Sequence, residues 1–142
     1  MKKFLAIAVV AVLSVFSTSA EEWDIFALSF TENAPADSAL TDIYGIKVGA
    51  PISGGPAPVY GVEASVLWAG TLDVKGVKCS LIGTDGSSGA GLQLAIVNFI
   101  HRWSGLQLGI FNYATDESFQ IGLVNIIKNS PVPFLPIINC RF

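Results

Sequence analysis

The sequence has 142 residues, of which 51% are hydrophobic and only 13% are charged, and its formal net charge is −3. A chain of this length forms one domain at most, and one with so few charges buries most of its surface against itself, a partner or lipid. The mild negative charge comes without a basic cluster, which excludes nucleic acid as an expected partner.

The N-terminus has the features of a secretory signal peptide in their usual order. Lys2 and Lys3 are followed by an apolar run over residues 4–16, and Thr18 and Ala20 are small residues suited to a cleavage site. The run is too short to span a membrane. We therefore expect residues 1–20 to be a signal peptide and residues 21–142 to be a single β-repeat domain, with a net charge near −5 once Lys2 and Lys3 are removed. The expected location is the outer membrane, cell surface or periplasm of a bacterium.

Three segments in the second half repeat one eight-residue pattern of glycine, apolar, glutamine, apolar, small, apolar, apolar and asparagine. They cover residues 91–98, 105–112 and 118–125, with serine in place of the first glycine in the last copy. A degenerate copy at 134–139 keeps the asparagine, so the asparagines are spaced 14, 13 and 14 residues apart. These positions form the predicted structural ladder, Asn98, Asn112, Asn125, Asn139, Gln93, Gln107 and Gln120.

Weaker copies precede these. Segments 44–49 and 60–65 both open with Tyr-Gly, segment 76–83 follows, and their third positions are Lys47, Glu63 and Lys78. With the lead segment 23–30 and the tail, the chain contains about eight units. A repeat of this length indicates that each unit is one supersecondary element stacked on its neighbours.

Each unit alternates with a period of two, which predicts a half-buried strand and not a helix. In the copy at 91–98, Leu92, Leu94 and Ile96 lie on one side, and Gln93 and Ala95 lie on the other. Turn-forming residues separate the units, for example Ser-Gly-Gly-Pro at 53–56 and Asp-Gly at 85–86. The predicted fold class is therefore all-β.

The favoured architecture is a β-solenoid in which the units stack in parallel about 4.8 Å apart. Equivalent leucines then form apolar ladders, and the asparagines stack at a corner, where an amide can bond its copies and the backbone. Lys47, Glu63 and Lys78 are expected to alternate in charge along the outer face, where unlike neighbours attract.

The alternative is a closed up-and-down antiparallel barrel of about eight strands, in the outer membrane, acting structurally or as a narrow pore. The short turns and the terminal Phe142 favour it. Two observations oppose it. The apolar side from Leu92 to Ile96 is roughly 13 Å long, against an apolar band of ~25 Å in such barrels. Phe142 also has the parity of the glutamine side when Asn139 is aligned with Asn125.

The copy Gly-Leu-Gln-Leu-Gly-Ile-Phe-Asn at 105–112 and the tail at 133–142 resemble a group of uncharacterised bacterial surface-repeat proteins, and the resemblance covers residues 44–142. It implies an envelope location and no established activity. Gln107, Gly109, Asn112 and Ala114 also match the core of the curlin repeat of secreted amyloid fibres. The period here is shorter, and Ile100 and Ile127 replace the alanine in neighbouring copies. This second resemblance supports stacked strands.

No residue pattern indicates catalysis, a metal or a cofactor. The one histidine, His101, is interpreted as an exposed turn residue, and Asp85, Asp116 and Glu117 as solvated turn charges. Cys79 and Cys140 are interpreted as free thiols or a disulfide, a choice that the sequence leaves open. Aromatic residues near the unit ends suit either caps on the strands or an interfacial belt. We therefore predict a non-catalytic structural or partner-binding module whose partner is the outer membrane or another envelope protein.

Overall fold

The computed structural model describes residues 23–32, 34 and 39–142, and over this part the chain is all-β, as predicted. The predicted signal peptide at residues 1–20 lies outside the described residues. The strands in chain order are β1 (Trp23–Ser29), β2 (Asp42–Gly49), β3 (Ile52–Gly55), β4 (Val59–Ser65), β5 (Trp68–Thr71), β6 (Asp73–Ser80), β7 (Gly83–Leu94), β8 (Val97–Leu108), β9 (Phe111–Ala114), β10 (Ser118–Ile127) and β11 (Phe134–Arg141).

The strands stack in parallel into a β-solenoid of about seven turns. Each repeat lies in register on the next, so that Val62 pairs with Val77, Val77 with Leu92, and Leu92 with Leu106. The predicted solenoid is confirmed and the alternative barrel is wrong. Copies 13 to 16 residues apart return in the same direction, whereas an up-and-down barrel needs neighbouring strands to run in opposite directions.

Each coil, meaning one turn of the solenoid, has two faces joined by two edges. The first face contains β2, β4, β6 and the second halves of β7 and β8, followed by the start of β10. The second face contains β3, β5, the first halves of β7 and β8, then β9 and the end of β10. Because β7 and β8 each continue from the second face onto the first, they bend round one edge without interruption.

The side chains point opposite ways from the sequence prediction. Gln93, Lys47, Glu63 and Lys78 are fully buried, while Leu92 and its counterparts lie on the outside of the coil. The expected apolar ladders exist, but they are external, and the expected charged outer face is internal. The sequence prediction failed because period two identifies two sides of a strand without saying which one faces inward.

Four repeat units carry a glycine that is required by the close approach of successive coils. Gly61, Gly76, Gly91 and Gly105 have φ between 121° and 155°, a region that side-chain-bearing residues rarely adopt. A Cβ on Gly76 or Gly91 would overlap the carbonyl oxygen of the glycine in the preceding coil. The row of glycines therefore sets the stacking register on the first face.

The last strand ends the stack differently. β11 pairs antiparallel with β10, and Asn139 lies opposite Gln120 instead of Asn125. Its side-chain amide donates to the carbonyl oxygens of Asn125 and Pro133, each at 3.3 Å. The prediction that Asn139 is a fourth rung of the asparagine ladder is wrong, because the reversed chain direction changes which residues meet.

Candidate functional site

The interior of the C-terminal coils is an amide network. Gln120 Nε2 donates to Gln107 Oε1 at 2.7 Å, and Gln107 Nε2 donates to Gln93 Oε1 at 2.7 Å. In the facing row, Asn98 Nδ2 donates to Asn112 Oδ1 at 2.8 Å, and the Nδ2 of Asn112 donates to Asn125 Oδ1 at 2.8 Å. Because an amide both donates and accepts, identical side chains in successive coils form a continuous row of hydrogen bonds.

The interior of the N-terminal coils is charged instead. Glu63 Oε1 accepts from the hydroxyls of Ser53 at 2.6 Å and Thr71 at 2.7 Å, and Glu63 Oε2 lies 3.5 Å from Lys78 Nζ. Lys78 also donates to the carbonyl oxygens of Thr71 and Asp85, and Lys47 donates to that of Gly54 at 2.6 Å. The two lysines and the glutamate occupy the positions that glutamines occupy farther along.

Burial governs the ionisation of these groups. Removal from water lowers the pKa of Lys78, and the negative charges of Glu63 and Asp85 oppose that effect. Burial also lowers the pKa of Lys47; Glu63 opposes the shift and Lys78 adds to it. On the outer side of β6, burial raises the pKa of the Cys79 thiol. The charged interior is thus held together against a desolvation cost.

The outer surface carries a continuous apolar ridge where each coil passes from the first face to the second. We call this ridge the apolar edge. Its side chains are between 46% and 68% exposed. One coil contributes the adjacent residues Leu81 and Ile82, and each of the other coils contributes one residue. The edge consists of Val66, Leu81, Ile82, Ile96, Ile110 and Leu123.

The backbone of this edge is bonded within the protein. The N–H groups of Leu81, Ile110 and Val124 donate to carbonyl oxygens one coil away, at 3.3, 2.9 and 2.9 Å. Carbonyl oxygens at the turns accept from the buried amides: Asn98 Nδ2 lies 2.9 Å from Leu108 O, and Asn125 Nδ2 lies 2.8 Å from Gly122 O. The buried amides therefore supply hydrogen bonds to carbonyl oxygens of the turns from the interior, while the outer surface of the same turns is apolar.

The opposite edge is polar, and we call it the polar edge. Its exposed residues are Ser87, His101, Arg102, Glu117 and Lys128, with the apolar Leu72 one coil from Ser87. Beneath it lies the apolar part of the interior, where Ile100, Trp103 and Ala114 pack together and a second cluster contains Val59 and Val74. The cross-section is thus inverted: apolar outside over polar inside at one edge, and polar outside over apolar inside at the other.

Other residues that could carry chemistry lie at several separate places. A cleft of about 610 Å³ at the polar edge is lined by Arg102, Asp116, Glu117 and Arg141. His101 is exposed and stands edge-on to Phe99, with 5.9 Å between ring centres. Cys79 and Cys140 are free thiols, and no metal-binding group of histidine, cysteine or carboxylate residues occurs in the described part of the chain.

No family model, curated protein or solved structure matches the chain. Across the residues that the structure describes, no helix has the length and apolarity to cross a membrane. The function must therefore be argued from the geometry of the solenoid.

The structure brings six of the seven predicted ladder residues into two interior rows and leaves Asn139 apart. Sequence analysis missed the hydroxyl groups that complete these rows. Ser53, Thr71 and Thr84 face inward from the second face, and Thr84 Oγ1 accepts from Gln93 Nε2 at 2.6 Å. Ser53 and Thr84 occupy the register position of Asn98, so extending the asparagine spacing toward the N-terminus would have found them.

Proposed function

We propose that this protein is an exported, non-catalytic module of the bacterial envelope that acts as a structural or binding element through its repeated outer surface. The observation that supports this proposal most is the apolar edge, which presents one or two large apolar side chains per coil, each between 46% and 68% exposed. Exposed apolar surface that continues over several coils is typical of interaction sites. The signal-peptide pattern at residues 1–20 supports export.

A repeated surface is better suited to binding a partner than to catalysing a reaction. Catalysis needs an acid, base or nucleophile held in a defined geometry, whereas a solenoid repeats the same few side chains at each coil. Here the repeated external elements are apolar and the repeated polar elements are internal. The resemblance of residues 44–142 to bacterial surface-repeat proteins agrees with a structural role at the envelope.

Export is tested by following processing in a bacterium with two membranes. We expect the tagged chain to lose 20 residues, measured by mass spectrometry, and to be recovered from the envelope or periplasm. The matched control is Ala20→Lys, which places a charge at the cleavage position and should leave the chain unprocessed. Recovery of the intact wild-type chain from the cytoplasm would contradict the proposal.

A further inference from the structure

The apolar edge differs from an ordinary surface patch because no exposed charge interrupts it. In the segments that form it, 62–68, 77–82, 92–97, 106–111 and 119–124, the charged residues are Glu63 and Lys78, and both are buried. Of the exposed charges of the same coils, Arg102, Glu117 and Lys128 lie at the polar edge and Lys75 lies on the first face. One edge of the solenoid is therefore apolar and the other is charged, in the way that a lipid leaflet has an apolar hydrocarbon layer and a polar headgroup layer.

The faces beside the apolar edge are also apolar in the C-terminal coils. The first face exposes Leu94, Leu108 and Ile121, and the second exposes Phe111 and its neighbours in register. The apolar surface therefore continues from the first face round the apolar edge, where Leu81, Ile96 and Ile110 line a depression, and onto the second face. A flat partner can cover one face of such a surface but not both, whereas a fluid hydrocarbon phase covers all of it.

The height of this apolar surface suits one leaflet. From Leu92 on the first face to Ile96 at the apolar edge, the apolar strip measures roughly 13 Å at the rise of a β-strand. A membrane-spanning barrel needs ~25 Å of apolar surface, but one leaflet of a bilayer offers about 15 Å of hydrocarbon, half of the ~30 Å core. The apolar strip is therefore too short to span a bilayer, but its height matches the hydrocarbon of one leaflet.

The buried amides explain how a turn can enter hydrocarbon. Unpaired backbone groups cannot be placed in lipid, because no water is present to bond them. At this edge the carbonyl oxygens of Leu108, Ile121 and Gly122 accept from asparagine side chains below, at 2.9, 2.9 and 2.8 Å. These three carbonyl oxygens are bonded without water, which is a condition that a turn must meet to contact hydrocarbon.

Aromatic residues lie on both faces between the two edges. Tyr44 and Tyr60 stack on the first face with 4.7 Å between ring centres, and Phe99 and Tyr113 stack on the second with 4.6 Å. Lys75 Nζ lies 5.1 Å from the centre of the Tyr60 ring. Tyrosines beside lysines are typical of the level of lipid headgroups.

We infer that the apolar edge inserts into the hydrocarbon of a single lipid leaflet, with the polar edge left in water and the aromatic pairs at the interface. This inference builds on the proposed envelope location, which gives the protein access to a membrane. The solenoid then lies with its long axis along the membrane surface, and each coil contributes one apolar rung to the bilayer.

The test uses vesicles of uncharged phosphatidylcholine and flotation in a density gradient. The protein is purified in the processed form in which it is recovered, and all variants are compared in that same form. We expect the wild-type protein to float with the vesicles in high salt. Ile110→Glu, at the apolar edge, should lower the partition coefficient at least about tenfold, because a charged side chain in hydrocarbon is costly.

Leu72→Glu is the matched control, because Leu72 is 43% exposed at the polar edge and Ile110 is 52% exposed at the apolar edge. It should change the partition less than about twofold, with the melting temperature of each variant recorded. A second readout is quenching of tryptophan fluorescence by lipids brominated on their acyl chains. Trp68 begins β5 directly after the apolar edge, so Trp68→Phe should remove most of the quenching.

Three outcomes would overturn the inference. The wild-type protein could stay at the bottom of the gradient as a dimer that Ile110→Glu disperses, which would make a second copy the occupant. It could float on anionic vesicles alone and dissociate in salt, which would indicate attraction by charge. Ile110→Glu and Leu72→Glu could also reduce flotation equally. Export is measured separately by processing, so either proposal can fail without the other.

Discussion

The N-terminal and C-terminal coils of the solenoid fill the same inward positions with different chemistry. In the N-terminal coils the first-face row reads Lys47, Glu63 and Lys78, and in the C-terminal coils it continues in register as Gln93, Gln107 and Gln120. Both are fully buried or nearly so. The backbone is the same in the two halves, so the difference lies in how each side chain meets its copy.

Stacking requires that each side chain accept or donate to its neighbour one coil away. An amide carries both a donor and an acceptor, so Gln107 can bond Gln93 and Gln120 at once. A lysine only donates and a carboxylate only accepts, so charged residues must alternate or find other partners. In the charged half these partners are Ser53, Thr71 and backbone carbonyl oxygens. The amide row can therefore be continued by adding further identical residues, whereas each charged residue needs a particular partner in a neighbouring position.

The largest expected effect comes from Glu63→Leu, which removes the acceptor at the centre of the charged half. Lys47 and Lys78 then lose the buried carboxylate beside them, and breaking a buried pair costs about 3–5 kcal/mol. The free energy of unfolding in urea measures this loss. The exposed carboxylate Glu117 offers the control, and Glu117→Leu should change stability by less than about 0.5 kcal/mol. Equal losses in both variants would contradict the role given to Glu63.

The next largest effect is the difference in the free energy of unfolding between a carboxylate placed beside a lysine and one placed among amides. Gln93 pairs in register with Lys78, so Gln93→Glu continues the alternation of charge, and the Thr84 hydroxyl can turn to donate to it. Gln107 has no lysine beside it, so Gln107→Glu buries an uncompensated charge. We expect Gln107→Glu to cost at least about 1 kcal/mol more than Gln93→Glu in the free energy of unfolding. The opposite order would show that the two halves do not differ as described.

A smaller effect is expected from Asn112→Leu in the amide half. The amide of Asn112 donates to Ile121 O at 2.9 Å and to Asn125 Oδ1 at 2.8 Å, and its oxygen accepts from Asn98. Leaving these groups unpaired should cost about 1–3 kcal/mol in thermal or urea unfolding. Asn129→Leu is the control, because Asn129 is exposed and bonds Asp116 at the surface. An unchanged melting temperature for Asn112→Leu would mean that the ladder adds nothing to stability.

The smallest effect is the dependence of stability on pH, which only the charged half should produce. Burial lowers the pKa of Lys78 in the folded protein below its ordinary value of 10.5. Between the lowered pKa and 10.5 the unfolded chain binds more protons at this group, so its contribution to stability rises with pH. We expect Lys78→Met to reduce the rise in unfolding free energy, relative to wild type, as pH increases from neutral toward about 10. Identical pH profiles would contradict this shift.

Much of the architecture could be predicted from the residues. The spacing of Gln93, Gln107 and Gln120 identifies which positions meet, and the alternation within each copy predicts strands. Asn139 shows where spacing is insufficient, because its distance along the chain matches the others while β11 runs the opposite way. The apolar edge could not be located, because no local pattern marks where a coil turns from one face to the other.

The sequence by itself determined that short strands of one kind would stack, since a repeated period-two pattern cannot bury one side in any single copy. Only the tertiary structure decided that the amides and charges face inward and the leucines outward. The reason is that each coil must satisfy its turn carbonyl oxygens and its stacked side chains from within the same narrow interior. Asn98 and Asn112 bond carbonyl oxygens of the following coil, so these bonds form only when that coil is in place.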